Sequence, residues 1–157
     1  MILVAQRVSE AKVVVDHQTI AAIDTGLMVL ACAEVDDDPT RTEFILASKL
    51  VKLRIFPDAD GKMNLSLLDI PDSKLLLVPQ FTLAADCRKG NRPNFMKAAR
   101  PGPGLTLFNA FKSHCERLIN TDTNPNRVQQ GEFGAHMNVS LCNAGPTTLI
   151  LQDKDFT

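Results

Sequence analysis

The sequence predicts an α+β fold in which two helices pack on a curved, mainly antiparallel sheet. Three observations predict it. Short β-branched runs separated by polar turns fill the first third of the chain. Two later segments carry apolar residues at helical spacing. No linker, internal repeat or low-complexity tract divides the 157 residues, so residues 1–157 read as one domain.

The elements follow in order. Met1 to Val8 is largely apolar, and Ala11 to Val15 is β-branched and ends at the polar turn Asp16-His17-Gln18. Thr19 to Ile23 resumes the strand pattern before Asp24-Thr25-Gly26 turns the chain again. Leu27 to Ala33 is uninterrupted and apolar, which predicts a strand buried on both faces. Asp38 and Pro39 have the chemistry of a helix cap and a first helical residue. Phe44, Leu46, Ala47, Leu50, Val51 and Leu53 supply that helix's apolar face to about Arg54. Pro57 to Gly61 is a loop. Its Asp-Ala-Asp-Gly lacks the twelfth-position glutamate of a calcium loop. Leu65 to Leu68 and Lys74 to Leu83 read as strands, although Pro79 cannot donate to a ladder and must break regular pairing. Pro101-Gly102-Pro103-Gly104 closes a loop. Leu105, Phe108, Phe111, Cys115, Leu118 and Ile119 then mark a second helix. Asn120 to Gln130 reads as a polar loop, Val139 to Cys142 as a strand, Asn143 to Pro146 as a turn and Thr147 to Gln152 as the last strand.

Composition narrows the function. Formal net charge is −1, which excludes a wholly basic nucleic-acid coat. With no Trp, no Tyr and eight Phe, an extended base-stacking surface is not expected. Cys32, Cys87, Cys115 and Cys142 form no CxxC pair, and His17, His114 and His136 are scattered, so no metal site is expected. The dispersed thiols suit a reducing compartment. No run approaches the ~18 apolar residues of a membrane span, and the chain reads as cytoplasmic.

No nucleophile elbow, P-loop or dinucleotide fingerprint is present. Three segments remain as candidates for chemistry. In Pro79-Gln80-Phe81-Thr82-Leu83 a bent strand end can release backbone N–H groups to stabilise an oxyanion. Gln80 and Thr82 add polar side chains there. In Asn143-Ala144-Gly145-Pro146-Thr147 a Gly-Pro pair can present backbone carbonyls as a rigid acceptor surface, one able to test the configuration of a ligand's α-carbon. From Cys87 to Cys115 there are six cations and no acidic residue, and Arg88, Lys89 and Arg92 head a patch suited to a phosphate backbone. Each segment also has a plain structural reading, as a buried strand, a hairpin turn and a solvated charged face.

Taken together, these segments resemble the D-aminoacyl-tRNA deacylases. Gln6-Arg7-Val8, Leu53-Arg54-Ile55-Phe56, Gly61 to Ser66, Gln80-Phe81-Thr82-Leu83, Arg88 to Pro93 and Asn143 to Thr148 follow in that family's order over essentially the full chain. The resemblance implies a barrel-like sheet, a homodimer with active sites at the subunit interface, and no cofactor. It implies aminoacyl-tRNA as partner and hydrolysis of the ester joining a D-amino acid to the terminal adenosine. Carried over, Gln80, Phe81 and Thr82 form the catalytic turn, with Phe81 and Thr82 as candidate backbone donors and Thr82 as a positioning residue. Gly145 and Pro146 reach the neighbouring subunit's pocket and reject an L side chain, while glycine escapes rejection. Pro79, Arg7 and Met137 join the substrate-binding set, Arg7 as a support of the Gly-Pro loop.

One residue departs from the family's pattern. Pro79 stands where the family motif has serine. A related branch that edits mischarged L-alanine has Pro-Gln at this place, but it alters the Gly-Pro segment, which here keeps the form Asn-x-Gly-Pro-x-Thr. Relaxed chirality toward L-Ala-tRNA is therefore one alternative. A non-catalytic nucleic-acid-binding module using the basic loop is the other.

Overall fold

The computed structural model describes residues 1–156, with the backbone alone for residues 39 and 41–43. Its main sheet contains β1 (Ile2–Val15), β2 (Gln18–Ile23), β3 (Gly26–Cys32), β6 (Lys74–Pro79), β7 (Val128–Gln130) and β8 (Asn138–Gln152). β4 (Phe56–Pro57) and β5 (Met63–Leu65) form a separate small ribbon. The helices are α1 (Pro39–Val51) and α2 (Pro101–Ile119). No helix among the described residues is long and apolar enough to cross a membrane.

The expected α+β architecture is present, with a mixed, curled sheet. β1 pairs antiparallel with β2, β3 and β8, whereas β6 runs parallel to both β3 and β7. The parallel pairs arise because α1 carries the chain back across the sheet between β3 and β6, and α2 does so between β6 and β7. β1 is one strand of 14 residues, where the sequence suggested two. Exposed Ser9 and Glu10 do not end it, because bulges on its β8 side let it bend there instead. At the β1–β2 turn Asp16 and His17 have φ of 46° and 65°, values that suit a tight hairpin matching the strand twist.

Two apolar clusters lie on opposite faces. Leu27, Val29, Leu75 and Leu77 join the helix residues Leu46, Leu50, Phe111 and Ile119 on one side. Met28, Leu76 and Val78 face inward with Val13, Ala21 and Ile23 on the other. β3 and β6 are thus buried on both faces, as the uninterrupted apolar run of β3 predicts. Asp38 caps α1 by accepting from the Thr40 N–H at 2.9 Å. Phe44, expected on the core face of α1, is 57% exposed instead, and its ring meets His114 edge-on.

Four other boundaries differ from expectation. Pro79 ends β6, and the chain enters a 3₁₀ turn at Phe81–Ala84, because proline contributes no ladder donor. Pro101 is the first residue of α2, so the Pro-Gly-Pro-Gly run lies inside the helix and buries Gly104. Leu105 falls outside the buried stripe of that helix. Val128–Gln130, expected in a loop, pairs with β6 and is fixed by buried Arg127, whose guanidinium donates to the carbonyls of Leu67, Ile70, Ser73 and Ile119. Asn143 to Pro146 is no hairpin turn, since β8 continues through it.

Candidate active site

Where β3 and β6 end, a cleft of about 590 Å³ opens, a size suited to a small-molecule ligand. Its walls are the strand ends at Cys32 and Pro79, the 3₁₀ turn, residues 95–99, the first turns of α2, and Phe133-Gly134. Among the described residues no Asp, Glu, His, Lys or Arg lines it. Four of the eight phenylalanines do: Phe81, Phe95, Phe108 and Phe133. Aromatic residues too few for an extended surface are thus concentrated at one place. Pro79, Gln80 and Phe81 were expected here. Phe95, Phe133 and Gly134 were not, and the only local signal was an aromatic residue set among glycines and polar residues at 131–134.

The turn has its own hydrogen-bond logic. The Gln80 N–H donates to Ala31 C=O at 2.8 Å, the last backbone bond before the chain leaves the sheet. The Gln80 side-chain oxygen accepts from Thr82 Oγ1 at 2.8 Å and Thr82 N–H at 3.4 Å, capping the turn. As the first residue of that turn, Phe81 has no intraturn acceptor for its N–H, and none is found elsewhere among the described residues. Thr82 gives its hydroxyl proton to an amide and not to a base. Cys32 Sγ faces the Phe81 and Ala33 carbonyls, and burial pushes its pKa up to about 11, so it stays a neutral thiol. Met137 reaches this region through Gly131. A Cβ on that glycine would lie 2.7 Å from Met137 Sδ and 3.6 Å from Pro79 Cδ.

The second motif lies elsewhere on the chain. Gln6 pairs with Thr148 and Val8 with Asn143, so residues 144–147 bulge out opposite the single residue Arg7. Arg7 Nε donates to Ala144 C=O at 3.2 Å, and Nη1 donates to Ile55 C=O. Asn143 Nδ2 closes the base of the bulge by donating to the Arg7 and Thr147 carbonyls, both at 3.0 Å. Gly145 has φ of 112°, its bond to Pro146 is cis, and both residues are exposed. Leu3, Ala31 and Pro79 lie abreast on β1, β3 and β6, four residues along β1 from Arg7. At strand spacings this puts the Gly145–Pro146 tip on the order of 15–20 Å from the Gln80 turn of the same chain.

The basic segment borders the cleft. Asp86 and Asn94 exchange backbone hydrogen bonds at 2.7 and 3.0 Å and close the loop between them. Arg88 turns back onto Asp86 within this loop, Nε to Oδ1 at 2.8 Å, and holds that carboxyl well below the usual carboxylate range. Lys89 and Arg92 are exposed, with no ion-pair partner among the described residues.

A curled mixed sheet carries an apolar cleft with a spare backbone donor at its mouth, an arrangement suited to holding a neutral ring system. Comparison with known proteins identifies the class. The family model described as D-Tyr-tRNA(Tyr) deacylase matches residues 4–152, and the chain belongs to this family of hydrolases. It is 51% identical over 154 residues to a D-aminoacyl-tRNA deacylase of Janthinobacterium sp. (strain Marseille), covering 98% of each chain. It is 48% identical over 151 residues to the D-aminoacyl-tRNA deacylase of Thermosipho africanus (strain TCF52B), covering 96% of each. Among solved structures, the c-Myc DNA Unwinding Element Binding Protein superposes with a TM-score of 0.88 at 33% identity, over 97% of this chain and 98% of the other. A probable eukaryotic D-amino acid tRNA deacylase shares the fold, with a TM-score of 0.79 at 19% identity over 96% and 97% of the two chains. D-aminoacyl-tRNA deacylase activity follows from the family and the relatives.

Proposed function

We propose that this deacylase proofreads chirality as a cytoplasmic homodimer, each cleft receiving the Gly145-Pro146 tip of the partner subunit. The observation that carries the reading is the cleft itself: apolar, sized for a nucleoside, free of acids and bases, with the Phe81 N–H lacking an acceptor at its mouth. The terminal adenosine occupies the cleft, and the ester carbonyl oxygen accepts from Phe81 N–H. Water adds to the carbonyl carbon, the acyl–O3′ bond breaks, and D-amino acid and free tRNA 3′-hydroxyl leave. An aminoacyl ester is already activated, so positioning and oxyanion stabilisation provide much of the acceleration. The substrate's own 2′-hydroxyl assists the water. Gln80 and Thr82 hold the turn, while Lys89 and Arg92, with Arg88 beside them, meet the tRNA backbone.

The separation of the two motifs within one chain, on the order of 15–20 Å at strand spacings, supports the cross-subunit arrangement. Backbone carbonyls near Gly145 and Pro146 occupy the space an L side chain would need. A D side chain points away, and glycine has none, so Gly-tRNA is a second substrate. Hydrolysis of D-Tyr-tRNA, L-Tyr-tRNA, Gly-tRNA and mischarged L-Ala-tRNA at matched concentrations tests this. Release of the D and glycyl esters with both L esters spared is the expected outcome. Release of L-alanine would instead establish relaxed chirality, the reading that Pro79 favours. Binding of tRNA with no hydrolysis of any ester would leave a nucleic-acid-binding module.

A further inference from the structure

We infer that Phe95 is a positioning residue for the deacylation step: it holds the Phe81 donor turn in place and joins it to the basic loop. The inference rests on the role given above to the Phe81 N–H. A four-residue 3₁₀ turn has little stiffness of its own, and this one carries a large aromatic ring that is 57% exposed. The one ring that touches Phe81 among the described residues is that of Phe95, edge-on at 5.2 Å between centroids. Phe95 is itself half-buried and held from both sides. On its N-terminal side Asn94 is locked to Asp86 by two backbone hydrogen bonds. On its C-terminal side Lys97 C=O accepts from Val35 N–H at 3.0 Å, Ala98 bridges Glu34, and Ala99 N–H donates to Ala33 C=O at 2.9 Å. The ring of Phe95 is therefore anchored to the rim of β3, and the ring of Phe81 rests on it.

The same Asn94–Asp86 lock closes the loop that presents Lys89 and Arg92. Phe95 is thus the residue where a contact to the nucleic-acid backbone and the backbone donor meet. An edge-to-face pair restrains the Phe81 ring, and the ring tethers the Cα of the turn that carries the Phe81 N–H. Loss of the Phe95 ring leaves the cleft open but the donor loosely aimed, and misplacement of this kind lowers the rate of the chemical step more than substrate binding.

The test is single-turnover and steady-state hydrolysis of D-Tyr-tRNA and of 3′-O-D-tyrosyl-adenosine by wild type, Phe95→Ala, Phe95→Leu and Phe95→Tyr. Phe95→Ala is expected to lower kcat about tenfold on both substrates with KM within about twofold, and Phe95→Tyr to restore most of the rate. Phe95→Leu keeps apolar volume without a ring edge, is expected to lose several-fold in kcat, and carries the test should the alanine variant not fold. A raised KM with unchanged kcat would make Phe95 a direct substrate contact and overturn the inference. Unchanged kcat and KM would overturn it too, with the deacylase reading intact. Wild type inactive on both substrates would instead remove the reading on which the inference rests.

Discussion

The turn at Gln80 and the bulge at Gly145 are both irregular strand segments, yet they are held by different forces. The turn grows from β6, where residues 75–78 are at most 1% exposed and packed on both faces. Apolar burial fixes where it starts, and Pro79 fixes where pairing stops. The bulge rides on β8, whose residues 138–149 are at best half-buried, and hydrogen bonds from Arg7 and Asn143 set its shape. One region is placed by packing and the other by polar contacts on an open face. On the proposed reading one is a donor held still and the other a surface that meets a second molecule, and the two kinds of support suit those two roles.

The comparison can be tested, beginning with the largest expected effect. Phe81→Pro removes the spare N–H at the first position of the 3₁₀ turn, the place in a helix where proline is best tolerated. Single-turnover deacylation is expected to fall about 10²–10³-fold below that of Phe81→Ala, which keeps the N–H. Equal rates for the two variants would remove the oxyanion role.

Gly145→Ala comes next. A Cβ there would displace the end of Arg7, 2.6 Å away at Nη2, and crowd Thr147 Oγ1 and N at 2.9 and 3.2 Å, at a backbone φ of 112° that L side chains rarely adopt. Strain of about 1–2 kcal/mol corresponds to a loss of D-over-L discrimination of about tenfold, read from paired D-Tyr- and L-Tyr-tRNA assays. Mixing Gly145→Ala with Phe81→Pro subunits probes the interface directly. If the site is shared, random pairing sets an intact Gly145 against about half of the intact Phe81 turns, so L-Tyr-tRNA release should fall to about half that of the same amount of Gly145→Ala subunits alone. An unchanged L-Tyr-tRNA rate, with subunit exchange demonstrated, would place both halves in one chain.

A smaller effect is expected for Thr82→Ala. It loses one exposed hydrogen bond to Gln80 and keeps the backbone, so the rate should fall no more than several-fold. Abolished activity with an intact fold would make Thr82 a nucleophile. The smallest effect concerns Cys32. The folded state favours its neutral thiol, so this stabilisation is complete below the ordinary value of 9.0 and is lost as pH rises toward about 11. Alkylation at pH 8 should label exposed Cys87 and Cys142, spare Cys32 and leave the rate unchanged. Labelling of Cys32 with inactivation would assign the thiol a part in the reaction.

What could be read from the residues alone was whatever depends on near neighbours in sequence. Helix periodicity, the Asp38 cap, the apolar run of β3 and the break at Pro79 are local consequences of side-chain size, branching and a missing N–H, and each is present in the fold. The pairing of Gln80 with Thr82, two residues apart, is equally local, although only their polar groups, and not their bond, were read from the sequence. The order of motifs also pointed to the family. Long-range contacts were decided only in three dimensions. β6 runs parallel to both neighbours because two helices carry the chain back across the sheet, a matter of chain path that strand composition does not encode. Phe95 and Phe133 enter the cleft from segments 14 and 52 residues beyond Phe81; Phe133 stands between glycines, a faint signal, and nothing near Phe95 marks it as a wall. Arg88, read as a cation for tRNA, is turned onto Asp86, the residue just outside the acid-free stretch. The bulge at Gly145 exists because β1 offers a single residue opposite four of β8, and register between strands more than 130 residues apart is a property of the folded sheet.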